Sequence, residues 1–493
     1  MSSRLLAVKE FFFNPILEKD LRSTARSPRF FLFILVFLFI AGIVLLFLTD
    51  DLRRIRPGAG LELFTGMFVM QALCVAMAIP AYACTTVAAE RQHRTFDLLR
   101  ITSLEPWHIV WGKFVAIMVY IGVFIISFAP LVSICFLYGG VDPVVMTLAY
   151  VYLLLSTAAC AAFCLMLSAA SSNTIKSIIV GYVFMFVVAI AWFAAGDELL
   201  DDATRRGRMF RKDFVTVIGL IYLSLAFLWS LFYLASTSLL KPPSWNRSTS
   251  LRIWFAAYVL VSLAAFVGIS WWLWGRMDDD EVAVYLIALL GIPSLLAAIG
   301  FCGEPHRLPP RLNAKVAKIP VIFRPFFAPG SWTAAILVRA AFLLAGGIAM
   351  CAFAALGRTS DLDEVLLLFL AIFVYINFCC SLAATVRRLW DTSRSRMITI
   401  AILIALTILP MLAFLDANSF GTVPSIVWIS PPMAVAGFAD ARLGGDAGPA
   451  VFFSFYISGA LVAFFTGLVN RARSGARAIV PAVEGRDEAG APA

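Results

Sequence analysis

Apolar blocks of about 20 residues recur along this 493-residue chain, and they decide its fold class. A helix of that length spans the hydrocarbon core of a bilayer. The composition agrees, because 61% of the residues are hydrophobic and 14% are charged, whereas a soluble domain carries roughly 25% charged residues. A membrane β-barrel would instead show alternating segments of about ten residues. The sequence therefore predicts an all-α fold, a polytopic bundle of membrane helices.

Twelve apolar blocks are long enough to be spans, and they form two halves of six. With the N-terminus inside, the inner segments hold most of the 39 Lys+Arg residues, so the positive-inside rule predicts cytoplasmic N- and C-termini. One outer loop, 197–214, is an exception because it is rich in arginine; it could be an exposed helix or a misplaced span boundary. The predicted spans are residues 29–49, 61–88, 114–137, 144–168, 177–196, 215–237, 252–274, 282–302, 333–357, 365–385, 398–416 and 450–470.

The chain divides by composition into an N-terminal segment, two six-span halves and a polar tail. In the N-terminal segment, Phe13, Leu17 and Leu21 recur at every fourth position, and Asn14-Pro15 is a typical helix start. This pattern predicts an amphipathic helix lying on the inner membrane surface. The tail is predicted to be disordered and cytoplasmic. The four parts are residues 1–28, 29–240, 241–473 and 474–493.

No pattern for catalysis, metal binding or cofactor binding stands out. The nine cysteines lie in or beside apolar blocks without a CxxC pair, and the three histidines are far apart, so no metal site is predicted. The sequence contains no GxxxxGK[ST], HExxH or GxSxG motif. The net charge of +9 follows from the positive-inside rule and does not indicate a nucleic-acid partner. We expect a protein embedded in the lipid bilayer, with no catalytic residue and no cofactor.

Ionisable residues are almost absent from the interiors of the predicted spans. Arg339, in the ninth span, is the exception, and it could either extend its guanidinium to the inner surface or serve a function. Pro80 and Pro130 lie inside the second and third spans, where proline mostly produces kinks. Because ion-driven carriers usually keep acids or bases near the midplane, this interior argues against proton coupling.

The loop after the second span, residues 89–113, carries the strongest functional signal. It combines charged residues with an apolar side that includes Phe96 and Ile101. A short helix of this kind at the membrane face suits docking into a groove of a partner protein. The same apolar residues could instead pack on the lipid interface, and the residues alone leave both interpretations open. The candidate contact residues are Glu90, Arg91, Arg94, Thr95, Asp97 and Leu99.

This loop resembles the inner loop of type-2 ABC transporter permeases. In that family a Glu-x-x-x-Gly-Thr-x-(Asp/Glu)-x-Leu stretch follows the second span, and an apolar run ending in Gly-Lys precedes the third. Two residues depart from the pattern, since Arg94 stands where Gly is usual and Ser103 where Pro is usual. The segments 14–22 and 430–434 also resemble family segments. The matching loop residues are Glu90, Thr95, Asp97, Leu99, Thr102, Leu104, Gly112 and Lys113.

The resemblance implies a permease subunit of an ATP-driven exporter in a bacterial plasma membrane. A cytosolic ABC ATPase subunit would supply the energy by moving the 89–113 loop and the N-terminal helix, and loop 303–332 could meet a second ATPase subunit. A second copy of the chain, or another permease chain, could complete the path. Two alternatives remain, namely a membrane scaffold without transport and an ion-coupled carrier or lipid flippase. The substrate-binding residues and the substrate are unknown from the sequence.

Overall fold

A computed structural model of the protein describes most of the chain between residues 15 and 389. In the described part, regular structure is helical, which confirms the predicted all-helical fold. The last two predicted spans, 398–416 and 450–470, and the polar tail lie outside the described residues, apart from a few positions. The described ranges are 15–51, 59–96, 105–139, 142–171, 173–186, 212–242, 245–272, 290–302, 304, 310–355 and 362–389, with isolated residues at 399, 402, 454 and 456–458.

The chain forms two compact units, Met1–Pro242 and Pro243–Ala493. The first unit contains nine helices in its described part: five are long and apolar, two are shorter and apolar, and two are short and polar. In chain order they are α1 (Pro15–Ala25), α2 (Pro28–Asp51), α3 (Ala59–Ala83), α4 (Ala88–Gln92), α5 (Pro106–Ser127), α6 (Ala129–Leu137), α7 (Pro143–Ala170), α8 (Thr174–Phe186) and α9 (Lys212–Leu240).

The described part of the second unit contains three apolar helices of membrane length, one shorter apolar helix and two further short helices. A single 3₁₀ turn, Val321–Phe323, precedes the second short helix. In chain order the helices are α10 (Thr249–Trp272), α11 (Ile292–Cys302), α12 (Pro310–Ala317), α13 (Arg324–Phe327), α14 (Ser331–Ala355) and α15 (Leu362–Leu389).

Eight of the described helical segments are long and apolar enough to cross a membrane. Two further predicted spans, the fifth and the eighth, are represented by the shorter helices α8 and α11. The molecule is therefore a multi-pass membrane protein, whereas the count of twelve and the orientation of the termini stay predictions. Most of loop 197–214, whose boundaries the charge pattern left open, lies outside the described residues.

The core of the first unit is built around α5 and α7. In α7, 67% of the residues in the apolar part of the helix are buried, against 17% in α2, so most of the surface of α2 is exposed. Pro80 lies inside α3 as expected. Pro130 does not kink a continuous helix, because the helix is interrupted at Phe128. Pro130 lies in the first turn of α6, where its missing N–H is not needed.

The backbone at the start of α3 approaches the backbone at the end of α6 very closely. A Cβ atom at Gly60, at the start of α3, would lie only 2.2 Å from the carbonyl oxygen of Gly139 and 2.6 Å from that of Cys135. Only glycine leaves room for the end of α6 to come this near. The contact sets the position of α3, and α3 leads to the loop that carries the candidate site.

Candidate coupling site

A tight turn and a short helix follow α3, and we call these residues, 84–96, the elbow. Two threonines form the turn, since the Thr85 hydroxyl donates to the Tyr82 carbonyl at 2.7 Å and the Thr86 hydroxyl to the Ala83 carbonyl at 2.9 Å. Threonine side chains that bond to nearby carbonyls offer the backbone an alternative to the helical ladder. The turn therefore separates α3 from α4.

A serine from another helix caps α4. The hydroxyl oxygen of Ser168, in α7, accepts hydrogen bonds from the backbone N–H groups of Val87 (3.0 Å) and Ala88 (2.9 Å). Free N–H groups at a helix start need an acceptor, usually a side chain of the preceding residue. Here the residue at that position is Val87, which has no acceptor, so the fully buried Ser168 takes its place and ties the elbow to α7.

The end of α4 has the hydrogen bonds of a Schellman motif. The Thr95 N–H donates to the Glu90 carbonyl at 2.9 Å, and the Arg94 N–H donates to the Arg91 carbonyl at 3.2 Å. This motif requires a left-handed residue, usually glycine, just after the helix. Arg94 fills that position with a φ of 57°. The elbow thus keeps the left-handed turn without the glycine that favours it.

A cluster of opposite charges lies beneath the elbow, with Lys113 of α5 at its centre. The Lys113 side chain is 2% exposed, and its Nζ lies 2.9 Å from Glu90 Oε1 and 3.4 Å from Asp20 Oδ2. The same nitrogen donates to the Thr86 carbonyl at 3.3 Å. Lys19, on α1, approaches the same Glu90 oxygen at 3.9 Å. We call Lys113, Glu90 and Asp20 the lysine cluster.

The lysine cluster joins three elements that are far apart in the sequence. It connects α1 through Asp20, the elbow through Glu90 and α5 through Lys113. Removing one partner of a buried ion pair is costly because it leaves the other charge buried without compensation. Glu90 is 16% exposed, and its second oxygen, Oε2, is buried without a hydrogen-bond partner in the described part of the chain. The lysine cluster therefore ties the elbow to α1 and α5 through charged side chains.

The chain returns to the membrane at Glu105, which precedes α5. The indole nitrogen of Trp107 donates to Glu105 Oε2 at 2.7 Å, and the Tyr233 hydroxyl, from α9, donates to the Trp107 carbonyl at 3.4 Å. Burial lowers the pKa of Lys241, just beyond α9, and the nearby Glu105 carboxylate opposes that shift. The end of α9 therefore packs beside the start of α5.

A comparison with protein-family models matches residues 14–279 to the ABC-2 family of transporter proteins. The match covers more than half of the 493 residues, including α1, the elbow and the lysine cluster. The chain belongs to the ABC-2 transporter family. No curated protein and no solved structure is similar enough to this chain to count as a match.

Membership confirms the resemblance on which the sequence analysis relied. An ABC-2 protein of this kind is a membrane component of an ABC transporter, and it is the transport component, not the catalytic one. The matched region runs past the first unit and into α10, so it also contains Arg252. The remaining residues of the second unit, including loop 303–332, lie outside the match.

The structure brings together part of the predicted site of this ABC-2 protein. Glu90 lies in the lysine cluster, and the Arg91 guanidinium lies 5.0 Å from the centre of the Phe96 ring, which is buried. Arg94 and Thr95 are exposed at the end of α4. The other two candidates, Asp97 and Leu99, lie outside the described residues.

Three further residues of the site were not among the predicted contacts. Lys113 was recognised only as part of the Gly-Lys that precedes the third span, although a lone lysine at the start of an apolar span was a usable signal. Asp20 was placed on the polar side of the N-terminal helix, where nothing in the sequence links it to Lys113. Ser168 gave no signal, because a serine in a membrane helix is common.

The intramembrane arginine of the second unit has a neighbour on the adjacent helix. Arg339 Nη2 donates to the hydroxyl oxygen of Ser381, in α15, at 3.2 Å. Its Nε is buried without a hydrogen-bond partner within the described ranges. Among those residues, His, Cys, Asp and Glu side chains form no group of three that could hold a metal ion.

Proposed function

We propose that this protein is the membrane-spanning permease subunit of an ATP-driven exporter in a bacterial plasma membrane, and that a separate cytosolic ATPase chain binds the elbow. The observation that carries the proposal is the combination of an exposed tip and a buried charged base. At the tip, residues 92–95 are all exposed. At the base, Glu90 is bonded to Lys113, which also contacts Asp20.

The elbow is suited to transmit force because its hydrogen bonds make it a closed local structure. Ser168 caps the start of α4, and the Schellman hydrogen bonds close its last turn. A short helix fixed in this way moves as a body, so a partner that displaces the tip also displaces Glu90. The lysine cluster then passes the movement to α5 and α1.

Helix α1 extends the proposed docking surface. Its face carries a groove of about 390 Å³, lined by Pro15, Glu18, Lys19, Arg22, Ser23 and Arg26. The pair Arg22–Glu18, with 2.6 Å between Nη2 and Oε1, is largely exposed. Charged groups around a docking site steer the encounter of two proteins and fix their register. An ATPase surface that binds the elbow tip and this groove together would move α1 and α5 as one.

ATP hydrolysis can drive such a movement only if the ATPase binds the elbow differently in its ATP-bound and nucleotide-free states. We expect the ATP-bound pair of subunits to pull the elbow and α1 into a second arrangement. The spans would then change from inward-facing to outward-facing. The interiors of the described spans are mostly apolar, which agrees with energy supplied from outside the membrane and not by an ion gradient.

The test is copurification and ATPase activity of the full chain expressed together with candidate ATPase chains from its own genome. We compare the wild type, Arg94→Glu at the exposed tip, and Arg94→Lys as a matched control. Arg94 is exposed, and lysine keeps its positive charge at the same position. We expect the wild type and Arg94→Lys to retain the ATPase, and Arg94→Glu to lose at least about tenfold in affinity.

The outcomes distinguish the proposal from its alternatives. If the wild type retains no nucleotide-binding chain, the permease assignment of function is wrong and a scaffold becomes the better account. If an ion gradient alone drives transport by the reconstituted chain, the carrier alternative is correct. If Arg94→Glu retains normal affinity while the ATPase still copurifies, the partner binds elsewhere and the elbow is not its site.

A further inference from the structure

The segment before α14, residues 310–330, differs from the elbow in its charge. Between Glu304 and Asp361 the sequence contains no acidic residue, and residues 310–330 carry four basic ones. Lys315, in the last turn of α12, and Lys318, just beyond it, are both exposed. We call residues 310–330 the basic loop. An acid-free cluster of cations next to a membrane span is the arrangement that attracts anionic lipid headgroups.

The basic loop also exposes a compact apolar surface. Val321 is 72% exposed, Ile322 81% and Phe323 54%, and they are consecutive in the 3₁₀ turn. Phe327, four residues further on, is 40% exposed. Large apolar side chains that are exposed together mark a contact surface. These residues lie four to ten positions before Ser331, where α14 begins.

The apolar surface is held in place by its own unit. Arg252, which is fully buried, donates to the carbonyl oxygens of Pro325, Ala328 and Gly330. The side chain of Asn246 donates to the Phe327 carbonyl at 2.9 Å. These hydrogen bonds hold residues 325–330, which directly follow the exposed turn, and so fix the place where the turn joins α14.

We infer that the basic loop is an interfacial anchor for anionic phospholipid. The Val321–Phe323 turn enters the boundary between headgroups and acyl chains, while Lys315 and Lys318 contact the phosphates of anionic headgroups. Apolar side chains with lysines beside them are the features that hold amphipathic segments in this boundary. The loop leads directly into α14, so the same bilayer that surrounds α14 lies within reach of the turn. This inference does not depend on the ATPase partner proposed for the elbow.

Photo-crosslinking of the full chain tests the anchor. We replace Phe323 with p-benzoylphenylalanine and reconstitute the protein in nanodiscs containing equal amounts of phosphatidylglycerol and phosphatidylcholine. Illumination followed by intact mass measurement gives the ratio of the two lipid adducts. Leu344, 68% exposed in the middle of α14, provides the reference position, since a probe there meets acyl chains without cationic neighbours from the basic loop.

We expect lipid adducts at both positions. The ratio of phosphatidylglycerol to phosphatidylcholine adducts should be at least about fivefold higher at 323 than at 344, because each lysine near an anionic surface contributes about 1 kcal/mol. The double variant Lys315→Gln/Lys318→Gln should reduce the ratio at 323 to that at 344. The variant Lys176→Gln removes an exposed cation of the first unit and should leave the ratio unchanged.

Three results would overturn the inference. The first is an absence of lipid adducts at 323 when 344 gives them. The second is a lipid adduct at 323 with no preference for phosphatidylglycerol, or with a preference that survives the loss of both lysines. The third is an adduct to an ATPase chain in place of lipid when that chain is present, which would make the basic loop a protein-docking surface.

Discussion

In the described part of each unit, a buried cation lies close to the start of a membrane helix, but the two cations have different partners. Lys113, in α5, contacts two carboxylates, Glu90 and Asp20, from two other elements. Arg252, in α10, contacts one carboxylate, Glu304, with 2.7 Å between Nη2 and Oε2. Glu90 and Glu304 each follow an apolar helix, so a carboxylate just beyond a span meets a buried cation in both units.

The difference lies in what else each cation holds. The Arg252 guanidinium also donates to three backbone carbonyls and to the Thr333 hydroxyl at 3.0 Å. Glu304 Oε2 in turn accepts the Gly330 N–H at 2.7 Å. A planar guanidinium fixes several acceptors in one geometry, whereas an ammonium acts as a point charge. The arginine therefore fixes one loop through several bonds, whereas the lysine joins three separate elements through its charge.

The largest effect should follow removal of the arginine. Arg252→Met leaves Glu304 and three carbonyl groups buried without their donor, so we expect the free energy of unfolding to fall by about 3–5 kcal/mol. Thermal unfolding in detergent, followed with a thiol-reactive dye, measures the change, because most of the described cysteines are buried. The free energy of unfolding of Arg252→Lys should lie between those of the wild type and Arg252→Met, because lysine keeps the positive charge but loses the planar guanidinium that bonds several acceptors. Unfolding of Arg252→Met at the wild-type temperature would contradict the comparison.

Removal of the lysine should cost less stability and more coupling. Lys113→Met leaves Glu90 and Asp20, but these carboxylates are 16% and 17% exposed and can reach water, so we expect about 1–3 kcal/mol. Under the proposed function, ATPase activity stimulated by the permease should fall at least about tenfold while the ATPase chain remains bound. Lys113→Arg is the matched control and should keep part of the coupling. Equal losses of stability in Lys113→Met and Arg252→Met would contradict the distinction between a lysine that joins three elements and an arginine that fixes one loop.

The sequence predicted the helical membrane fold and the position of the elbow because both depend on local patterns. Long apolar blocks require helices that satisfy their own backbone groups in lipid, and Asn14-Pro15 predicted a helix start where α1 begins, at Pro15. The family pattern placed Glu90 and Arg94 in one short loop, and the structure has them there.

The partners of these residues could not be predicted because they come from distant parts of the chain. Asp20 and Lys113 are 93 positions apart, and Ser168 lies 80 positions from Ala88. Arg252 donates mainly to carbonyl oxygens, which every residue carries, so no residue type reveals them. A charged residue at the start of a span needs a partner of opposite charge or a hydrogen-bond acceptor. Which residue becomes that partner depends on how the helices pack.

The smallest effect concerns the one non-glycine residue with positive φ in the described part of the chain. Arg94, with a φ of 57°, stands where the family pattern has Gly. A left-handed conformation costs an L-residue roughly 1–2 kcal/mol, while glycine loses about 0.5–1 kcal/mol more on folding through entropy. Arg94→Gly should therefore stabilise the elbow by at most about 1 kcal/mol, measured as slower hydrogen exchange of the Thr95 amide.

The second unit supplies the opposite control at Gly330, whose φ is 141°. An L-residue rarely adopts that conformation, and Gly330→Ala should destabilise by about 1–3 kcal/mol, although a Cβ there would meet only Thr333 Oγ1, at 3.6 Å. The loss should appear in the loop that Arg252 holds.

Faster hydrogen exchange of the Thr95 amide in Arg94→Gly would show that the Arg94 side chain stabilises the elbow by more than its left-handed backbone conformation costs. Because Arg94 is exposed, that stabilisation would have to come from contacts at the elbow surface, where the ATPase is proposed to bind.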